Sequence, residues 1–196
     1  MQAPQVLYHL AEAENLESIL AHGLLSTEAL ARLAGLKEIE RLALLRRHRP
    51  DNYRLPSGVL IRDQKPMPPT ALAGALEEGL EPGDWYALLS SFVFLWPDPS
   101  RMERQRRACG DRPQVLLTFD AAALLDRLRD YAYVSPINSG NARRKPARRG
   151  RQTFVPYQTW LEKGWPTGRR SRAPAEFLFS CAIPTTAPYL LGLAYI

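Results

Sequence analysis

Four short stretches of the 196-residue chain carry side chains whose types and spacing can do chemistry. Glu176 opens the run "AEFLFSCAI", where the side chains up to Ile183 are almost all apolar. A carboxylate entering such a strand is costly unless a cation or a ligand answers its charge, and Arg172 is the nearest cation on that side. His9 stands in the apolar "PQVLYHL", Arg62 and Asp63 stand in "LIRDQ", and Asn138, Gly140 and Asn141 stand in "INSGNA". Each has a plain structural explanation when taken alone. His9 suits a hydrogen-bonded core position, Arg62 an ion pair with Asp63, Glu176 a pair with Arg172, and the Asn–Gly segment a turn.

Other chemistries are excluded by spacing. Cys109 and Cys181 are isolated, and His9, His22 and His48 lie far apart, so neither a disulfide framework nor a metal site is expected. No glycine-rich loop of the Rossmann or P-loop type is present.

Charge is unevenly spread. Residues 1–130 carry 16 Lys+Arg against 18 Asp+Glu, a net of −2, and residues 131–196 carry 10 against 2, a net of +8, which sums to the +6 of the whole chain. The excess peaks in "ARRKPARRGRQ", and no acid occurs between Asp130 and Glu162. Arg143, Arg144, Lys145, Arg148, Arg149 and Arg151 therefore read as a basic loop over residues 141–152 that follows the phosphates of a nucleic acid. A solvated basic loop is the alternative. No apolar run is long enough to cross a bilayer and the N-terminus lacks signal-peptide features, so a cytoplasmic protein with no membrane partner is expected.

The elements that must position these residues follow from periodicity and punctuation. "PQVLYHL" reads as a strand, followed by a helix in "ENLESILAHG" that Asn15 can cap and Gly23 stops. Helices are predicted from Ser26 or Thr27 in "STEALARLAG" and over "LKEIERLALLRRH". "LPSGVLIRDQKPMPP" is a proline-bounded loop with a short extended centre. "TALAGALEEG", "PGDWYALL" and "SRMERQRRACG" read as helical, the last one basic, and "SSFVFLW" as a strand. "PQVLLTF" is a buried strand, Asp120 can cap the helix "AAALLDRL", and "YAYVSPI", "AEFLFSCAI" and "YLLGLAYI" are strands. The fold class expected is α+β, with mixed or antiparallel sheets around a cleft, N-terminal helices and one domain over residues 1–196.

Together, "LYHL", "NLESILAHGLLS", "LIRDQ", "INSGNA" and "RAPAEFLF" resemble the DarT-type DNA ADP-ribosyltransferases, within the NAD-using ADP-ribosyltransferase superfamily. The likeness spans most of the chain and is strongest at both ends and at "NSGNA". It implies an ADP-ribosyltransferase-like domain with NAD as co-substrate and single-stranded or base-flipped DNA as acceptor. By the same resemblance His9 holds the nicotinamide-side ribose, Arg62 lies near the phosphates and reacting centre, Asn138, Gly140 and Asn141 form a turn beside the pocket, and Glu176 is the late catalytic glutamate. Such a carboxylate, facing a cleft beside a cation, orients a ribose hydroxyl and stabilises positive charge developing at C1′. Trp85, Tyr86, Phe92, Phe94 and Trp96 offer aromatic faces for nicotinamide or an unstacked base, or else belong to the core.

Residues 63–113 match the family least, which leaves other activities open. The same cleft without a NAD site could break the C1′–N bond of a DNA nucleotide directly, as a glycosylase leaving an abasic site. A DNA-binding module with a vestigial cleft is the non-enzymatic alternative. Either enzyme suits a toxin, with a possible cognate antitoxin, or an antiphage defence protein.

Overall fold

The apolar run beginning at Val6 forms β1 (Val6–Glu12), which pairs with the run read as a buried strand, β5 (Gln114–Asp120). In the computed structural model, which describes residues 4–143, 146–166, 173–185 and 188–196, the two strands are antiparallel from Val6 opposite Asp120 to Glu12 opposite Gln114. β9 (Leu190–Tyr195) lies antiparallel on the other side of β5 and completes a sheet of order β1-β5-β9. A second antiparallel sheet has the order β4-β8-β6-β7, from β4 (Val93–Leu95), β6 (Ala132–Ser135), β7 (Val155–Pro156) and β8 (Glu176–Phe179). A short hairpin joins β2 (Tyr53–Arg54) to β3 (Leu60–Ile61).

Eight α-helices accompany the sheets among the described residues: α1 (Leu16–His22), α2 (Thr27–Leu33), α3 (Glu38–Arg46), α4 (Pro69–Ala73), α5 (Pro82–Ser90), α6 (Pro99–Ala108), α7 (Ala121–Leu128) and α8 (Tyr157–Lys163). The architecture is mixed α+β with antiparallel sheets. Two expected caps are present: the Ser26 hydroxyl accepts from the Ala29 N–H and the Asp120 carboxylate from the Ala123 N–H. Asn15 does not cap α1 as expected; its side chain reaches across to β3, accepting from the Leu60 N–H and donating to the Leu60 carbonyl, both at 2.8 Å. An amide that satisfies both backbone groups of one residue mimics a strand partner, so Asn15 pins β3 at Leu60.

Some expected elements are shorter than predicted. "TALAGALEEG" is helical only as far as Ala73, and β8 stops at Phe179, where Ser180 turns to donate its N–H to the Tyr131 carbonyl. α8 was not expected; its short aromatic sequence follows Pro156 and carries little helical periodicity.

Leu117, Phe119, Val134, Phe177 and Phe179, none of them exposed, form the core that joins the two sheets. A second cluster packs Leu72, Trp85, Tyr86, Phe154 and Leu178 under α5. Each buried side chain of this size stabilises the fold by about 1.5–3 kcal/mol, so both faces of β8 are held firmly.

Candidate functional site

β8 faces apolar cores on both sides, which explains its unbroken apolar sequence. Phe177 and Phe179 enter the inter-sheet core, and Leu178 enters the cluster under α5. Alternation puts Glu176 on the Leu178 face. There the second core gives way to a cavity of about 1040 Å³, and Glu176 lines it together with His9, Arg62, Asn138 and Asn141. The acid can head an apolar strand because the strand's other face opens into this space.

Ser139 answers the carboxylate. Its N–H lies 3.2 Å from each Glu176 oxygen and its hydroxyl donates to Oε2 at 2.7 Å. Arg172, the partner anticipated from sequence, lies outside the described residues, as do Arg144 and Lys145 of the basic loop. Burial dominates the proton affinity: Glu176 is 4% exposed, and its carboxyl is pushed up to about 7 despite the Ser139 hydrogen bonds and the charges of Arg101 and Arg149.

Arg149 corrects an expectation. Placed by its sequence in an exposed phosphate-tracking strip, it is only 1% exposed and spends its donors internally. Nε donates to the Ala147 carbonyl at 3.0 Å, and the two terminal nitrogens donate to Ser139 O at 3.1 Å and Asn141 O at 3.0 Å. Its guanidinium also lies 5.9 Å from the Trp85 ring centroid. Arg149 therefore shapes the turn that carries Ser139. Arg143, Arg148 and Arg151 are exposed as expected, and of these only Arg143 reaches the cavity lining.

His9 is half-buried in the middle of β1, and its Nδ1 lies 2.8 Å from the Phe94 carbonyl oxygen. A carbonyl only accepts, so Nδ1 carries the hydrogen and Nε2 keeps a free lone pair. Burial holds the ring down to about 4, outweighing the Phe94 hydrogen bond, and the Arg62 charge lowers it further. The imidazole is therefore neutral at pH 7. Leu95 pairs with Phe177, so the next register position sets Trp96 beside Glu176, and Trp96 bridges to Tyr8. β1 and β8 are thus separated at this level by two strand spacings, roughly 10 Å.

Arg62 is not paired with Asp63. Pinned in place by the Asn15–Leu60 clasp, it donates from Nε to Glu12 Oε1 at 3.0 Å and from Nη2 to Gln114 Oε1. Glu12 is 3% exposed and also meets Arg112 at 3.2 Å, while Gln114 Nε2 donates to its second oxygen at 2.6 Å. Two guanidinium groups share one carboxylate, so the cluster is net positive. Among the described residues, Nη1 of Arg62 has no hydrogen-bond partner. Phe92, Phe94 and Trp96 line the same cavity, whereas Trp85 and Tyr86 are buried in the second core.

Ser139, Glu12, Gln114 and Arg112 were not anticipated from the sequence. "NSGNA" reads as a turn with or without a carboxylate beneath it, and Glu12 meets Gln114 only through the β1–β5 register. No group of three or more His, Cys, Asp or Glu side chains that could hold a metal ion occurs among the described residues, and no helix there is long and apolar enough to cross a membrane.

Residues 5–190 match the model of DUF7002, a family of unknown function, and the chain belongs to that family. No curated protein matches the chain.

Proposed function

We propose that this protein modifies DNA at an N-glycosidic C1′ centre, transferring ADP-ribose from NAD to a base of a single-stranded or flipped-out nucleotide, within an ADP-ribosyltransferase-like domain. The observation that carries this reading is that His9 and Glu176, from the first and eighth strands, line one cavity with a neutral imidazole and a carboxyl poised near neutrality. A perturbed acid and base in one large cleft are the usual mark of a reaction centre.

The residues present fit NAD. The cavity is at the upper end of the roughly 300–1,000 Å³ range of ligand pockets. Arg62 Nη1 and His9 Nε2 offer a donor and an acceptor that the described residues leave unused. When bound, NAD supplies the ADP-ribosyl group and nicotinamide as the leaving group. His9 Nε2 then accepts from a ribose hydroxyl, and the net positive Arg62–Arg112–Glu12 cluster favours the pyrophosphate. Ionised Glu176 stabilises positive charge at C1′, where fixed charge acts most strongly in the transition state. The proton shed by the acceptor nitrogen passes to the carboxylate, whose affinity near 7 suits a general base.

One observation favours a second reading, base excision without NAD. A carboxyl near 7 is substantially protonated at neutral pH, and in that form it can protonate a departing base. Incubation with defined single-stranded and modified DNA oligonucleotides, with and without NAD, separates the readings by product mass. An ADP-ribose adduct that requires NAD supports transfer, and a lost base without NAD supports excision. Unmodified DNA under every condition refutes both.

A further inference from the structure

α6 forms one wall of the cavity, and the charges on its outer edge have no role in the reaction outlined above. Gln105, Ala108, Cys109 and Arg112 line the space. Steps of three and four residues put Arg101, Gln105 and Ala108 on one helix face, with Arg112 following one turn beyond the helix end. The charges at the two ends of this wall bear on the two charged centres of the site, one by contact and one through space. Arg101 acts on the Glu176 carboxyl, and Arg112 meets Glu12 at 3.2 Å.

The wall is strongly basic. From Pro99 to Arg112 it carries Arg101, Arg104, Arg106, Arg107 and Arg112 against Glu103 and Asp111. Arg106 and Arg107 share Glu103, at 2.8 and 3.2 Å. Arg104 has no carboxylate partner among the described residues; its Nε donates to the Ser100 carbonyl at 3.2 Å. Arg104 and Arg107 are exposed on the outer edge of the helix, which is about 15 Å long. Exposed Arg143 stands at the lining of the same cavity, on the turn after β6. The same cavity also presents the aromatic side chains of Phe92, Phe94 and Trp96. Basic rims flanking an aromatic-lined cleft match a single nucleic-acid strand, whose backbone is drawn by charge and whose bases stack on any aromatic face.

We propose that the outer edge of α6, through Arg104 and Arg107, is a rail for the phosphate backbone of single-stranded DNA, which crosses the cavity mouth towards Arg143. This rests on the DNA reading above and goes beyond it, because the charge run at residues 141–152 is then only one side of the track. The buried position of Arg149 takes one cation out of that run, and α6 supplies others.

The test is fluorescence anisotropy with a labelled mixed-sequence single-stranded DNA oligonucleotide, titrated across a series of salt concentrations. Wild type is compared with Arg104→Ala/Arg107→Ala and with Arg127→Ala/Arg129→Ala. The second pair removes the same charge from α7 and the turn after it, where no residue lines the cavity. The α6 pair is expected to flatten the slope of log affinity against log salt by about 1.4, at roughly 0.7 per lost phosphate contact. The α7 pair leaves the slope unchanged, and Arg104→Lys/Arg107→Lys, which keeps the charge, retains it. Equal effects from the α6 and α7 pairs, or no effect from either, overturn the rail while leaving the DNA reading standing. Wild type that fails to bind the oligonucleotide overturns both. Poly-glutamate bound with the same dependence on Arg104 and Arg107 overturns DNA as the partner of this edge.

Discussion

Replacing Glu176 with glutamine separates what the residue costs the fold from what it does for the chemistry. Burial raises its carboxyl from 4.5 to about 7, so the folded state holds the proton more tightly than the unfolded chain. A raised folded-state affinity gives stability that is complete below the unfolded value near 4.5 and is lost as pH rises through 7. Integrating the linkage between pH 5 and pH 8 gives a loss of about 2.5 kcal/mol, from roughly 1.36 kcal/mol per pH unit. Glutamine has no charge to lose. Its amide keeps one oxygen for Ser139 but puts an NH2 group where a carboxylate oxygen accepted from the Ser139 N–H, a cost of about 1 kcal/mol at every pH. Glu176→Gln should therefore be slightly less stable than wild type at pH 5 and about 1–2 kcal/mol more stable at pH 8. Urea unfolding at both pH values reads this as a relative movement of the midpoints by about 1 M, given m near 2–3 kcal/mol/M. His9 titrates in both proteins, so it cancels in the comparison. Parallel stability curves for the two proteins would refute the argument that Glu176 is buried at a cost.

Other outcomes follow from the same geometry. His9 should remain neutral and protonated on Nδ1 at pH 6 in a nitrogen-15 imidazole spectrum; a doubly protonated ring there contradicts the Phe94 contact and the burial that depress it. Because its affinity is lowered, the stability His9 contributes is complete above pH 6.5 and lost as pH falls through 4, so replacement with glutamine should flatten the acid side of the stability profile. Ser139→Ala removes the 2.7 Å donor to Glu176 and should raise the carboxyl's midpoint by about one pH unit, seen in a carbon-13 carboxyl titration. Arg149→Met removes the donor to the Ala147 and Asn141 carbonyls and leaves Ser139 O only the longer Trp85 Nε1 contact at 3.4 Å, so it should cost about 2–3 kcal/mol in urea unfolding, whereas exposed Arg148→Ala should stay within about 0.5 kcal/mol.

These adjacent arginines also show where the sequence stops being informative. In "ARRKPARRGRQ" all the cations look alike, and only the β-bridge of Arg149 with Leu76 reveals that the chain dips inward there. Local signals served well where one element decides the outcome, as in the Ser26 and Asp120 caps or the apolar β5. They failed where a side chain serves a distant element. Asn15 looks like a helix cap and instead clasps β3, and Arg62 looks like a partner for Asp63 and instead meets Glu12 across the fold. The puzzle of Glu176 was visible in its apolar surroundings, but Ser139 was not, because a turn that wraps a carboxylate has the same composition as one that does not.

The most direct test is the product assay repeated with Glu176→Gln at pH 8, where that variant is expected to be at least as stable as wild type. The account predicts that DNA modified by the wild-type protein, whether gaining ADP-ribose or losing a base, is produced by the folded variant about 10²–10⁴-fold more slowly. Undiminished product formation by Glu176→Gln would contradict it.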